Sequence, residues 1–431
     1  MSAIRLGVVG AGMIFDDTYR PLLDRFADQP LYDPATGPVG VELVAMASRT
    51  GERVERYRSA LPLPRRSFQS FTGERAVFDL LARPDAPNAV VIATPDHRHF
   101  EPARACLAAG KHVILEKPSV LSLAELDELD SLARKNGVLC KVVYHKLLDP
   151  DHKKLRTLVA DGVLRRVHHG YCTLFEPKSI STGQFSEWIA GRNPATYVGV
   201  HYLKLIDFTF GPAWTLRRIS ATGTRGTVRP APAPAPATWD SVQLRVTYAH
   251  PDDREATFDI HTNWILPNDH PGSVDQEVQF HFDNGTWSAH QRKRGVECVV
   301  EVRTPAEFKL TPNHHYAATS LEPWGERTTR GYGLEAIERI LREIAFVEFG
   351  GAISERSTRL DAMRDLTYND VSADRNVVAA IQSLEAILAE HAAGRAGATV
   401  LVDGPDGGLV LLHPGSTERR VLFGDAVHCV R

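Results

Sequence analysis

The sequence predicts an α/β protein, with a doubly wound parallel sheet at the N-terminus followed by an α+β domain built on a large open, mainly antiparallel sheet. Three observations point there. Short apolar runs alternate with helical patterns up to about residue 144. The first run stops at a glycine turn, Gly10-Ala-Gly12. Beyond residue 144 the runs lengthen and alternate apolar with polar residues, the period of strands with one packed face.

A chain of 431 residues exceeds one typical core, so three segments are expected: 1–145, 146–398, and a small β appendix at 399–431. A net charge of −3 gives no electrostatic reason to bind nucleic acid or an anionic membrane, which leaves small molecules as the expected partners. Cys106, Cys140, Cys172, Cys298 and Cys429 are odd in number and scattered, as expected for reduced thiols in a cytoplasmic protein. The chain starts directly into a strand pattern with no signal-peptide features, and no apolar stretch approaches the roughly 20 residues of a spanning helix.

In order along the chain, residues 4–9 read as a buried strand, and 27–40, rich in Pro, Asp and Gly, as a surface loop. Strands are expected at 41–47, 89–93, 112–115 and 138–144. Helices are expected at 100–109 and 123–135, with Gly110 and Gly137 placed as C-caps. The second part opens with a helix at 150–160, a strand near 167–175 and a helix near 199–210. Period-two strands follow at 241–248, 256–264, 278–282 and 298–302, with the Ala-Pro repeat at 230–237 as a stiff surface excursion. Helices at 333–348, 359–365 and 374–391 close it.

Chemistry is expected where parallel strands end. Gly10 permits the tight turn and Gly12 lets the backbone approach a pyrophosphate at the helix N-terminus, with Met13 and Ile14 beside them. The third glycine of the G-x-G-x-x-G pattern is replaced by Phe15. The next strand ends Ser48-Arg49-Thr50, where an NAD site usually carries Asp or Glu; a hydroxyl and a guanidinium suit a 2′-phosphate, so NADP is favoured over NAD. Thr94-Pro95-Asp96-His97-Arg98-His99 follows another strand, where His97 and His99 are expected to line the nicotinamide side or to cap the next helix and are too isolated to suggest a metal. Glu116-Lys117-Pro118 closes a further strand, placing an ammonium at the ligand-binding edge.

Together Gly10-Ala-Gly12, Thr94 to His99, Ala109-Gly-Lys-His-Val113 and Glu116-Lys-Pro118 resemble the glucose-fructose oxidoreductase, inositol dehydrogenase and MocA (Gfo/Idh/MocA) family, over about residues 4–395. The resemblance implies a Rossmann domain for NAD(P), a second domain whose sheet forms homo-oligomer contacts, and redox chemistry on a secondary hydroxyl or ketone of a sugar, cyclitol or related polyol. It makes Glu116 and Lys117 part of the cofactor site and Lys117 catalytic. The family's Asp-x-Gly-x-His motif corresponds to Tyr197-Val-Gly-Val-His201, so His201 matches while Tyr197 replaces the aspartate, and the next family acid aligns with Lys204. Residues four apart share a helical face, so Tyr197 and His201 are expected to point into one cleft if the helix has begun there, with His201 moving the hydroxyl proton, Lys117 polarising the oxygen, and Tyr197 either hydrogen-bonding that oxygen or orienting His201. Position makes Tyr144, His145, Lys146, Asn193 and Lys204 expected substrate neighbours. Two alternatives stay open: a redox-neutral glycoside-cleaving enzyme that retains its cofactor, and a nucleotide-binding regulator whose chemistry has lapsed.

Overall fold

The computed structural model describes residues 2–184, 186, 189–228, 238–270, 274–290, 313–366, 368–403 and 408–424. The expected strand at 298–302, the Ala-Pro repeat, Cys298 and Cys429 lie outside the described residues. The chain forms two units, 1–148 with 315–374, and 149–314 with 375–431.

The first unit is built on β1 (Ser2–Val9), β2 (Leu31–Asp33), β3 (Gly37–Ser48), β4 (Gln69–Thr72), β5 (Ala89–Ile92), β6 (His112–Glu116) and β7 (Cys140–Val143). Its parallel strands run β4-β3-β1-β5-β6-β7, the order of a doubly wound dinucleotide-binding sheet. β5, β6 and β7 are buried at every position, which explains why they read as unbroken apolar runs. Residues 27–40 differ from the expected loop: β2 pairs antiparallel with the start of β3, Leu31 opposite Val39, and both residues enter the core.

The connecting helices are α1 (Arg20–Phe26), α2 (Glu52–Ala60), α3 (Ala76–Leu81), α4 (Phe100–Ala108) and α5 (Leu123–Lys135). Gly110 and Gly137 have φ of 67° and 62°, the left-handed conformation that ends a helix at little cost for glycine.

In the second unit α6 (Pro150–Ala160) starts at Asp149, whose carboxylate accepts the Asp151 N–H. Then come β8 (Val167–Pro177), α7 (Val200–Phe210), β9 (Thr215–Arg225), β10 (Trp239–Ala249), β11 (Glu255–Leu266), β12 (Asp275–Phe282) and β13 (Gly285–His290). β11 and β12 alternate buried and half-buried residues along their length. The buried face carries Phe258, Phe280 and Tyr248, and Phe210 of α7 packs on the two phenylalanines. Gly170 on β8 is required there, since a Cβ would sit 2.2 Å from the Phe280 ring. The opposite face is polar, with His169 and His281 stacked at 4.6 Å.

The chain then returns to the first unit. β14 (Ala318–Leu321) and β15 (Arg327–Arg330) form a hairpin, followed by α8 (Tyr332–Phe349) and α9 (Arg356–Asp365). Leu334, Ile337, Ile340, Leu341 and Ile344 form a helical stripe that shares one core with Ile4, Leu6 and Val8 of β1. The sequence pattern had put this segment in the second domain. Helical periodicity shows that a face is apolar but not which core it joins.

α10 (Arg375–Ala392) packs in the second unit, and the chain ends with β16 (Thr399–Asp403), β17 (Gly408–Leu412) and β18 (Arg419–Phe423). The expected separate appendix is a correction. β16 pairs with β9, so these strands extend the second sheet to nine among the described residues, in the order β13-β12-β8-β11-β10-β9-β16-β17-β18.

Candidate functional site

All parallel strands of the first sheet end on one edge, and that edge collects the candidate residues of the first unit. Gly10 follows β1, Ser48 ends β3, Thr94 lies just past β5, and Glu116 and Lys117 close β6. β1 is central. Its Gly10 N–H donates to the Ala47 carbonyl of β3 at 2.9 Å, while the Ala93 N–H beyond β5 donates to the Val9 carbonyl at 2.8 Å.

Gly10 has φ of 97°, and a Cβ there would lie 2.4 Å from the Ala93 oxygen, so only glycine closes this turn. A Cβ at Gly12 would meet no atom within 4 Å. The chain itself does not need glycine at that position, and the open space fits the close approach of a phosphate. Met13 and Ile14 are half-buried beside it. Phe15 is turned into the core, edge-on to Tyr57 at 5.1 Å, within a π-helical turn over Phe15–Tyr19. The widened turn takes the ring where a tighter helix calls for a small residue.

Arg49 and Thr50 are exposed, and the Ser48 hydroxyl accepts the Gly51 N–H at 3.1 Å. That leaves the serine O–H available to donate. His97 is exposed, with Nδ1 3.4 Å from Asp96, while Thr94 and Pro95 are half-buried.

Several candidates are buried and hydrogen-bonded within the protein. His99 is 1% exposed, and its ring nitrogens lie 2.7 Å and 2.8 Å from the Pro118 and Thr94 carbonyls, so neither can reach a nucleotide. Glu116 is buried and accepts the Tyr19 hydroxyl at 2.8 Å. Burial pushes its carboxyl up to about 7, against the opposing pull of Tyr19 and Lys117. Tyr144 donates to Asp374 at 2.9 Å, and His145 Nδ1 donates to the Gly333 carbonyl at 2.9 Å. Burial lowers the His145 imidazole to about 4, so the ring is neutral near pH 7. Lys146 is buried in the turn after Tyr144, and Lys204 is buried in α7. Asn193 accepts the Thr196 N–H and donates to Thr196 and Glu385, which fixes the start of the helical segment before His201. Strand-end position makes a residue a neighbour of the edge; burial decided that these point inward.

Tyr197 lies in a π-helical turn, Ala195–Gly199, continuous with α7, which carries His201. Both are half-buried while Val198 to Val200 and Tyr202 to Ile206 are buried, so the two side chains share the less covered face of this segment. Tyr197 sits 6.3 Å from Trp264.

Sequence reasoning missed Tyr19 and Tyr316. Tyr316 meets the Thr18 hydroxyl at 3.0 Å and packs edge-on to His145 at 5.5 Å, and burial raises its phenol. No local signal marks these contacts, because Thr18 and His145 lie some 170 to 300 residues away in the chain. A separate groove of about 790 Å³, lined by arginines and acids of α1 and the β14–β15 hairpin together with Trp324, contains none of the candidate residues. Among the described residues no cluster of His, Cys, Asp and Glu fits a metal, and no helix is long and apolar enough to cross a membrane.

Strand order, glycine turn and strand-end lysine define a dinucleotide-binding α/β unit joined to an open-sheet unit. Residues 4–144 match the model of the oxidoreductase family with an NAD-binding Rossmann fold, Gfo/Idh/MocA. The uncharacterised oxidoreductase YdgJ of Escherichia coli is 42% identical over 78 residues, 18% of this chain and 22% of that protein. The scyllo-inositol 2-dehydrogenase (NADP(+)) IolW of Bacillus subtilis is 27% identical over 170 residues, 39% and 40% of the two chains. These matches span less than half of either relative. An inositol dehydrogenase homologue from Azotobacter vinelandii, solved with NADH and myo-inositol, has the same fold, with a TM-score of 0.62 at 20% identity over 94% of this chain and 98% of that one.

Proposed function

We propose that this protein is an NADP-preferring oxidoreductase that moves hydride between a nicotinamide and a secondary hydroxyl or ketone of a sugar, cyclitol or related polyol. What supports the reading is the one sheet edge that carries the Gly10-Ala11-Gly12 turn, the Ser48-Arg49 pair and Lys117. The relatives' names support the substrate class, since IolW is a scyllo-inositol dehydrogenase and the Azotobacter structure holds myo-inositol.

A bound nicotinamide supplies the hydride acceptor or donor. Lys117 donates a hydrogen bond to the reacting oxygen and stabilises alkoxide charge as it develops. His201 takes or returns the hydroxyl proton, and Tyr197 orients it. Ser48 and Arg49 hold the 2′-phosphate. Purified protein mixed with NADP and a panel of sugars and cyclitols, followed by absorbance of the reduced cofactor, tests this. Turnover is expected for the parent and is lost in Lys117→Ala and His201→Ala with NADP affinity retained. Full activity in both variants would discard the catalytic assignment.

A further inference from the structure

His99 lies at the N-terminus of α4, under the edge just described, and no nucleotide or substrate role is open to it. Its imidazole is buried, with Nδ1 2.7 Å from the Pro118 carbonyl and Nε2 2.8 Å from the Thr94 carbonyl. A carbonyl oxygen has no proton to give, so both ring nitrogens must donate, and a neutral imidazole has only one N–H. Changing tautomer moves the conflict from one carbonyl to the other. Flipping the ring would put C–H groups at both short contacts and strand the two nitrogens.

We propose that His99 carries both ring protons and, as a buried cation, positions the turn that presents Lys117. This deepens the oxidoreductase reading and rests on it for the role of Lys117. Burial, with a smaller push from the Lys117 ammonium, holds the imidazole below its ordinary range against the opposing pull of the two carbonyls and the Asp96 carboxylate; the two contacts favour the charge against that direction. The two short contacts decide the balance, because a neutral ring would face one carbonyl lone pair with its own, out of reach of water. Asp96 is itself buried, accepts the His97 N–H at 2.7 Å, and lies 3.4 Å from His97 Nδ1.

The two anchor points explain the role. Thr94 lies past the end of β5, and Pro118 is the residue after Lys117 at the end of β6. One imidazolium therefore ties two strand-end loops together, the second of which sets where the lysine stem begins. His99 touches neither the reacting atoms nor the cofactor; it acts through Lys117.

Nitrogen-15 spectroscopy of the full chain with labelled histidine, His99 assigned by its loss in His99→Gln, reads the charge directly. Both ring nitrogens are expected to be protonated across neutral pH; one bare nitrogen there overturns the charge. His99→Gln keeps one donor but sets an amide oxygen against the second carbonyl. It is expected to lower kcat by on the order of 10²-fold with NADP affinity retained, and to speed amide hydrogen exchange across residues 117–120. Parental kcat and exchange in that variant would overturn the positioning role. Should the parent turn over no polyol, the oxidoreductase reading fails, while ring protonation and exchange still decide His99.

Discussion

The two sheets solve different problems with the same kind of residue. β6 is buried along all five positions and delivers its chemistry only at its end, where Glu116 and Lys117 meet the turn. β11 instead alternates, with Phe258, Ile260 and Trp264 in the core and Asp259, His261 and Asn263 half-exposed. A parallel sheet covered on both faces leaves no open face to a ligand, so function moves to the strand ends. An open sheet keeps one face for solvent or a partner, and its candidate residues lie on a helix instead.

If chemistry belongs to the strand-end edge, Lys117→Met should show the largest effect, a fall in kcat of about 10²–10³-fold with little change in NADP affinity. A steady-state comparison with dye-free NADP titration checks it. Within the second sheet, Trp264→Ala should cost about 3–5 kcal/mol in denaturant unfolding, because the ring is fully buried and its Nε1 donates to Glu176 at 2.8 Å. His281→Ala, on the polar face of β12, should stay within about 0.5 kcal/mol. Equal losses at the two positions would erase the contrast between the faces.

The remaining predictions sharpen the edge itself. Arg49→Ala should weaken NADP about tenfold, roughly the 1.4 kcal/mol of one exposed charge-assisted contact, and leave NAD affinity unchanged; parallel calorimetric titrations separate the two. The smallest effect concerns Glu116. Burial raises its folded-state carboxyl to about 7, so the folded chain holds a proton that the unfolded chain releases as pH passes from about 4.5 to 7. Stability on this account falls as pH rises through that window. Glu116→Gln keeps a partner for Tyr19 and removes the slope, so its melting temperature should exceed the parent's by about 3 °C at pH 8 and match it at pH 5.

Legibility followed the range of the interaction. Gly10 was readable because the turn constraint is local, and its clash with Ala93 shows the reason. Lys117 was readable because an apolar run followed by Pro118 marks a strand end. His99 stood out only as one of two nearby histidines; that its ring bridges two loops depends on Pro118, 19 residues on. Tyr19 and Tyr316 gave no signal, and β2, β4 and β9 went unread because short or strongly polar strands lack a clear period.

By itself the sequence determined the kinds of sheet and the location of the strand-end glycines and lysine, since periodicity and turn chemistry act over a few residues. Tertiary structure alone decided that α8 joins the core of β1, that the last three strands widen the second sheet, and that His99, Glu116 and Asn193 turn inward. The physical reason is common to all three. Burial and hydrogen-bond satisfaction are set by whatever surface the rest of the chain brings alongside, and that surface is not written in any local stretch.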